Sequence, residues 1–351
     1  MKKMKLWIKI VLSIFVSVLL VTGVAFSYTF YQLGKINTTK ISKTDVDLGI
    51  KPKAPLKEIP GKQIPAKEIP AKEKVPLEED NNDILNIAFF GLDRRDVSEV
   101  GRSDSIMILS IDSKHKKIKM SSIMRDTYVK INGHGQTKIN HAYAYGGAQL
   151  AIRTLNENFN LEIRDYVTVD FFNFEKIIDA MGGVNIDIKQ DEVGFINDKI
   201  IEVSNLEKKS IVLINKLGPQ TLNGLQSVAY SRVRYTDGGD FVRTERQRTI
   251  LSAMLIKIQS LGVAKFPSVV SELLAYTETS MKSTDILKIG TKVFTSKIKI
   301  LEQERFPVDG YCKGKIIDGV WYLVTDMKDT KEQLYKFIYE DIRPVAKAPL
   351  F

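Results

Sequence analysis

DILNIAFFGLDRRDVSEVGRSDSIMILSIDSKHKKIKMSSIMRD, residues 83–126, contains three short apolar runs rich in β-branched side chains, DILNIAFFGL, SIMILSID and KIKMSSIM. Charged or turn-like segments separate them, and that spacing predicts a strand, loop, strand, turn, strand meander. If the three strands run antiparallel, the first ends at Asp93, the second begins just after Asp104 and the third ends just before Arg125. All three polar residues then fall on one edge of a sheet.

Downstream, helices and strands alternate. KINHAYAYGGAQLAIRTLNENF has helical spacing in its second half and ends near Asn160. RDYVTVD reads as a strand, FFNFEKIIDAMGG as a helix and VNIDI as a strand. Helical stretches follow at TLNGLQSVAYSRV, DFVRTERQRTILSAMLIKIQSL and STDILKIGTKVFTSKI, then strands at ILEQERFPVDG and GVWYLV and a last helix at DTKEQLYKFIYEDI. The expected fold class is α/β, a layered α/β/α body with a central mixed sheet. One transmembrane helix and a Pro-rich tether are expected to precede it.

The anchor is read from LWIKIVLSIFVSVLLVTGVAFSYTF, residues 6–30, where Lys9 is the only charge. Roughly 20 apolar or small residues span a bilayer core of about 30 Å. Lys2, Lys3, Lys5 and Lys9 crowd its start, which places residues 1–5 in the cytoplasm and everything after Tyr31 outside. A cleaved signal peptide also starts basic, but this apolar run is long for one, and VTGVAFS is a weak cleavage site. Residues 51–76 hold 6 of the 11 prolines and repeat a unit close to AKEIP, so 31–82 reads as an extended spacer. The catalytic body is expected over 83–300, with 301–351 as C-terminal strands and a helix packed on it.

Of the formal net charge of +10, +6 belongs to residues 1–82, which hold 14 Lys/Arg against 8 Asp/Glu. A uniformly basic nucleic-acid surface is therefore poorly supported, and no nucleic-acid partner is expected. Cys312 is the only cysteine, so no internal disulfide can form. No GxSxG elbow occurs, and Ser103 and Ser105 have no evident histidine partner, which disfavours a serine or cysteine hydrolase. His115, His134 and His141 lack metal-site spacing and read as surface or local structural groups.

The polar residues fit a metal-bound diphosphate. Attack at phosphorus spreads negative charge over oxygens, so catalysis there is positioning plus well-placed cations. Asp93 and Asp104 offer the hard carboxylate oxygens that magnesium prefers, with manganese left open as the alternative. Arg125, Arg232, Arg234 and Arg243 offer planar two-pronged contacts to phosphate. Arg232 and Arg234 project together only if that piece is extended. Arg243 and Gln247 share one face near a helix start, where the helix dipole favours anions. The apolar stripe Ile250, Leu251, Met254, Leu255 and Ile258 continues that helix as core, or in part as the lining of a groove for a lipid chain.

In this order and spacing, GLDRR, GRSDS, RDTYV, KIN-x-AYAYGG, DAMGGV, LNG-x-x-x-x-AYSRVR and GDFVRTERQ resemble the LytR-CpsA-Psr family of Gram-positive envelope proteins, over about Leu85 to Leu261. The resemblance implies a membrane-anchored phosphotransferase that moves a glycopolymer, such as teichoic acid or capsule, from undecaprenyl pyrophosphate to peptidoglycan. It matches Asp93 and Asp104 to magnesium-associated carboxylates and Arg125, Arg232, Arg234 and Arg243 to pyrophosphate binders. Arg95, Arg102, Lys138 and Gln247 match further polar pocket positions, and Asp240 lies in the same motif. Asp93, Arg125 and Asp104 are the catalytic candidates, with Asp93 helping to deprotonate the acceptor hydroxyl. A hydrolase of the same lipid, or a noncatalytic wall-binding or regulatory protein, are the competing readings. Met124 stands where the family usually has proline, and Val242 where it has glycine; neither removes a charge, but both alter pocket shape.

Overall fold

A computed structural model describes residues 37–52, 84–94, 101–234, 238–296, 298 and 300–348. The expected anchor over 6–30, most of the tether, and Arg95 lie outside the described residues. Among the described residues, no helix is long and apolar enough to cross a membrane.

The chain forms a mixed α/β fold around a seven-stranded sheet. Its strands, in chain order, are β1 (Asn37–Thr38), β2 (Ile84–Asp93), β3 (Arg102–Asp112), β4 (Lys117–Ile123), β7 (Asp165–Asp170), β10 (Glu278–Thr279) and β11 (Ile300–Phe306). Their order across the sheet is β1-β10-β7-β2-β3-β4-β11. Pairing is parallel at β1/β10 and β4/β11 and antiparallel at β10/β7, so the sheet is mixed, as the sequence implied. The predicted meander is present, with one difference: β3 starts at Arg102, so Asp104 lies inside the strand and not ahead of it.

The chain divides into two compact units, and β2 and β3 contribute residues to both. The first comprises Ala88–Met107 and Asp165–Ile298 with the described residues before Ser42. It carries the antiparallel pair β8 (Val184–Ile188) and β9 (Gly218–Leu222) and six helices. These are α2 (Phe171–Ala180), α3 (Val193–Glu207), α4 (Gly224–Arg232), α5 (Gly239–Ser260), α6 (Gly262–Leu274) and α7 (Ser283–Thr295). Its core gathers Ile178 from α2, Ile186 from β8, Ile196 and Ile200 from α3, Ala229 from α4, and Ile250 and Met254 from α5. Ile250 and Met254 thus confirm the core reading of the stripe on α5.

Local sequence sets the start of α4. The Asn223 side chain accepts from the Gln226 N–H at 2.9 Å, and Gln226 Oε1 accepts from the Asn223 N–H at 3.1 Å, a reciprocal capping box. Thr221 and Leu222, expected within the helix, instead pair with Asn185 and Val184 in the hairpin.

The second unit comprises Ser42–Ile87, Ile108–Arg164 and Lys299–Phe351. It holds the β4/β11 pair, two hairpins, and the helices α1 (His141–Phe159) and α8 (Met327–Tyr339). The hairpins are β5 (Tyr128–Ile131) with β6 (Gly135–Lys138), and β12 (Cys312–Ile317) with β13 (Val320–Thr325). Gly146 and Gly147 take non-helical dihedrals inside α1, which explains why helical periodicity is legible only in its second half. Asn160 ends α1 in the left-handed region at φ 56°. Asn156, 1% exposed, binds the Leu48 and Ile163 carbonyls through Nδ2 and the Ile163 N–H through Oδ1, all at 2.9 Å. This one amide fastens Leu48 to the end of α1, so the start of the stretch expected to be spacer, where Leu48 and Ile50 are buried, is instead part of the fold.

Candidate active site

The ends of β2 and β3 meet through two glycines. A Cβ at Gly91 would lie 2.9 Å from Ser105 Cβ, and one at Gly101 would lie 3.0 Å from the Asp93 carbonyl and 2.9 Å from Arg94 Cβ. Positions 91 to 94 thus face 105 to 101 in reverse order, so the two strands are antiparallel here, and the missing side chains permit the approach. Asp93 stands exposed at the end of β2, and Arg102 is exposed at the first position of β3. Asp104 sits two residues farther in, its side chain only 10% exposed.

Two arginines address Asp104 without closing on it. Arg234 Nη2 lies 3.8 Å and Arg243 Nη1 3.9 Å from its Oδ2, while Arg243 Nη2 reaches the Asp104 carbonyl at 3.5 Å. Arg243 is 3% exposed on the second turn of α5 and also pairs with Asp240 at 2.8 Å. That helix begins at Gly238, whose φ of 98° and contact with Val242 both require glycine: a Cβ would sit 2.5 Å from Val242 Cγ2. The valine at the family's glycine position therefore packs on the helix cap.

Arg232 and Arg234 part company, because α4 ends at Arg232 and Val233 turns extended. Arg232 lies 5.0 Å over the Phe171 ring and 4.0 Å from Glu202, whereas Arg234 faces Asp104. Hydrogen bonding from Lys199, assisted by the fields of Arg232 and Arg234, holds the Glu202 carboxyl below its usual range against its partial burial.

Beside these charges the same unit has a small, open, mostly apolar pocket of about 40 Å³. Phe89, Val169, Phe171, Phe174 and Leu251 form its walls, with Gln247 and Asp170 among the polar groups lining it. Arg243, Gln247 and Leu251 follow at intervals of four on α5, so one face of one helix passes from cation to amide to hydrocarbon in steps of about 6 Å. Of the predicted stripe, Leu251 is the member that lines the pocket.

Arg125 and Lys138 belong to the second unit, where Asp126, 8% exposed, joins them. Lys138 Nζ is 2.7 Å from Asp126 Oδ1 and Arg125 Nε 3.4 Å from Oδ2. The Asn140 N–H donates to the Arg125 carbonyl at 3.2 Å and that of Ile139 to Thr127 at 2.9 Å, so the RDTYV and KIN motifs are zipped together by backbone.

Two groups in the first unit escaped the sequence reading. Arg94 grips Asp170 through Nε at 3.2 Å and Nη2 at 3.0 Å. Asp170 lines the pocket and also caps α2 by accepting from the Asn173 N–H at 2.9 Å. Arg246, 2% exposed, makes a two-pronged contact with Glu192 at 3.1 and 2.9 Å and reaches the Val233 carbonyl at 3.3 Å, steadying the segment that carries Arg234. The arginine-rich spacing of TERQR was the available signal; which arginine points inward was not.

Asp93, at the end of β2, and Asp104, inside the neighbouring strand β3, carry the hard oxygens that magnesium or manganese prefers. A second cluster, Asp112, His115 and Asp341, brings its ligand atoms within 4.8 Å of one another. There the cation position is taken by Lys119, whose Nζ is 2.8 Å from Asp112 and 3.1 Å from Asp341.

Comparison with known proteins adds four findings. The profile of the LytR_cpsA_psr family matches residues 57–338. The polyisoprenyl-teichoic acid--peptidoglycan teichoic acid transferase TagT of Bacillus subtilis (strain 168) is 28% identical over 94% of this chain and 93% of its own. TagU of Oceanobacillus iheyensis, a transferase of the same description, is 32% identical over 69% of this chain and 71% of its own. Among solved structures, the LytR-CPS2A-psr family protein YwtF (TagT) with bound octaprenyl pyrophosphate lipid superposes with a TM-score of 0.55 at 28% identity, covering 74% of this chain and 91% of that one.

Proposed function

The chain belongs to the LytR-CpsA-Psr family, and from that premise we propose that it transfers a glycopolymer from a polyprenyl pyrophosphate carrier to peptidoglycan. One observation carries the reading: α5 places Arg243 beside Asp104 and, two turns on, Leu251 in the wall of an apolar pocket. A ligand with a diphosphate head and a hydrocarbon tail matches that sequence of surroundings. The relatives are named for this reaction, and one was solved with octaprenyl pyrophosphate.

In the proposed reaction an acceptor hydroxyl of peptidoglycan attacks the sugar-linked phosphorus. A new P–O bond forms, the anhydride P–O bond breaks, and polyprenyl phosphate leaves with its electron pair. Arg243 and Arg234 bind the diphosphate oxygens where charge develops. Both stand 3.8–3.9 Å from Asp104, and Asp240 holds Arg243 at 2.8 Å, so carboxylates fix the positions of the two guanidiniums. Arg232, stacked on Phe171, guards the junction of head and tail. Asp93, exposed at its strand end, accepts the hydroxyl proton. Asp93 and Asp104 would hold a magnesium ion, whose chemistry is to neutralise charge on the diphosphate. The family resemblance also assigns Arg125 and Lys138 to polar positions for the donor, and within the second unit Asp126 orients both. A retained anchor over 6–30 and the tether place the body outside the membrane, within reach of both substrates.

The test is to incubate the purified protein with a synthetic polyprenyl-pyrophosphate saccharide, magnesium and peptidoglycan fragments. A phosphodiester product that depends on the acceptor, and its loss in Asp104→Ala, is expected. Release of free saccharide phosphate without acceptor would identify a hydrolase instead.

A further inference from the structure

We propose that the loop Lys208–Leu217, together with Leu206, is a surface by which the first unit rests on an anionic bilayer. The loop leaves α3 and reads KKSIVLINKL. Leu206 (53% exposed), Ile211 (47%), Val212 (53%), Leu213 (46%) and Leu217 (52%) all face solvent. Three successive exposed branched side chains break the alternation that a half-buried strand would show. Concentrated apolar exposure of this kind marks an interaction surface.

The display is built into the fold. Ile214, 3% exposed, is plugged into the unit's core. The Asn197 amide clamps it from both sides, donating to the Ile214 carbonyl at 2.9 Å and accepting the Ile214 N–H at 2.8 Å. Gln226 Nε2 donates to the Val212 carbonyl at 3.1 Å. Turning Ile211, Val212 and Leu213 inward would break these bonds, and Ile214 already fills the inward position.

Charge identifies the occupant. Lys208 and Lys216 bracket the apolar run with no acidic residue between them, while Lys209 is held by Glu175 and Glu207. Lysine is depleted at protein–protein interfaces, whereas lysines flanking apolar side chains suit anionic headgroups above acyl chains. Lys209 also reaches Glu175 at 2.7 Å, one residue after Phe174 of the pocket wall, and Gln226 lies on α4, which carries Ser231 of the same pocket. The loop is thus fastened to two helices that line the pocket. This inference rests on the reading of that pocket as a prenyl site: such a tail is too apolar to cross water, so the donor must be drawn from the leaflet.

The decisive experiment places a fluorophore in the full chain. A Cys312→Ser, Val212→Cys variant carrying a nitrobenzoxadiazole label is reconstituted in phosphatidylcholine vesicles with and without phosphatidylglycerol, and with acyl chains brominated at mid-depth. Blue-shifted emission, quenched by bromine and enhanced by the anionic lipid, is expected at position 212. The same label at Lys288→Cys on α7, whose side chain is 79% exposed, should keep water-like emission. Water-like, unquenched emission at 212 overturns the proposal, and so does a blue shift that follows protein density without quenching, which would mean a second copy covers the loop. In the triple variant Ile211→Ser, Val212→Ser, Leu213→Ser, turnover of a long-prenyl donor in vesicles should fall about tenfold while a short, water-soluble donor is unaffected. Equal losses on both donors would count as a refutation. The fluorescence readout needs no turnover, so it can fail while the transferase reading stands, and the reverse.

Discussion

Strand β3 carries two aspartates in opposite electrostatic states. At its end in the second unit, Asp112 is fully buried and closed: Lys119 Nζ donates at 2.8 Å, the His115 N–H at 2.8 Å and the His115 ring at 2.7 Å. Lys119, 0% exposed, spends its remaining capacity on Asp341 at 3.1 Å and the Ile338 carbonyl at 3.0 Å. Near the strand's start in the first unit, Asp104 has guanidinium nitrogens at 3.8 and 3.9 Å. The closed network satisfies every charge internally, as a buried structural ion pair must. Around Asp104 the guanidiniums of Arg234 and Arg243 lie at longer range, and Arg243 takes its short contact from Asp240 at 2.8 Å. Contact length, more than charge count, separates a binding site from a structural lock.

That contrast breaks most visibly if the open site tolerates a change of cation shape. In Arg243→Lys, turnover should fall about thousandfold, because a point charge cannot reproduce the guanidinium fork where transition-state charge develops. Steady-state kinetics measure it, and a loss under tenfold would remove Arg243 from the phosphate site. The closed network should behave in the opposite way. Asp112→Asn should lower unfolding free energy by about 3 kcal/mol in urea titrations while leaving activity per folded molecule unchanged. Activity loss without destabilisation would make the network functional.

Phe174→Ala sharpens the comparison on the apolar side of the open site. The Michaelis constant for a long-prenyl donor should rise about tenfold with little change in kcat. Competitive inhibition by inorganic pyrophosphate should be unchanged, since that ligand has no tail. The smallest expected effect is a pH dependence. Burial would raise the carboxyls of Asp112 and Asp341, but bonds from the His115 N–H and Lys119 to the first, and from Lys117 and Lys119 to the second, outweigh it and hold both below the ordinary 3.8. Their stabilisation is therefore complete above pH 3.8 and is lost as pH falls through the depressed folded values. The melting temperature should drop on that acid limb, and Asp112→Asn should flatten the drop. Parallel curves for the two proteins would contradict the linkage.

The three strands of 83–126, the helices α2, α4, α5, α7 and α8 and the late strands β11 and β13 were legible because their hydrophobic periods agree with their lengths. Less legible were α3, whose outer face is unusually apolar, and α6, which carries Pro267 in its interior. The hairpin β5/β6, hidden in a polar NGHG turn sequence, also left little periodic signal. The motifs named Asp104, Arg234 and Arg243, which the fold groups together. They also named Arg232, which turns to Phe171, and Lys138, which Asp126 holds beside Arg125 in the second unit.

Sequence by itself fixed which residue types were available: carboxylates and guanidiniums at element ends, one apolar stripe, and a family pattern spanning them. Tertiary structure alone decided that Arg94 grips Asp170, that Leu251 faces a pocket while Ile250 faces the core, and that Lys119 closes on Asp112 at 2.8 Å while Arg234 and Arg243 stand 3.8 and 3.9 Å from Asp104. The reason is geometric. A one-residue change of phase on a strand or helix reverses or rotates a side chain's direction, and only packing against distant segments sets that phase.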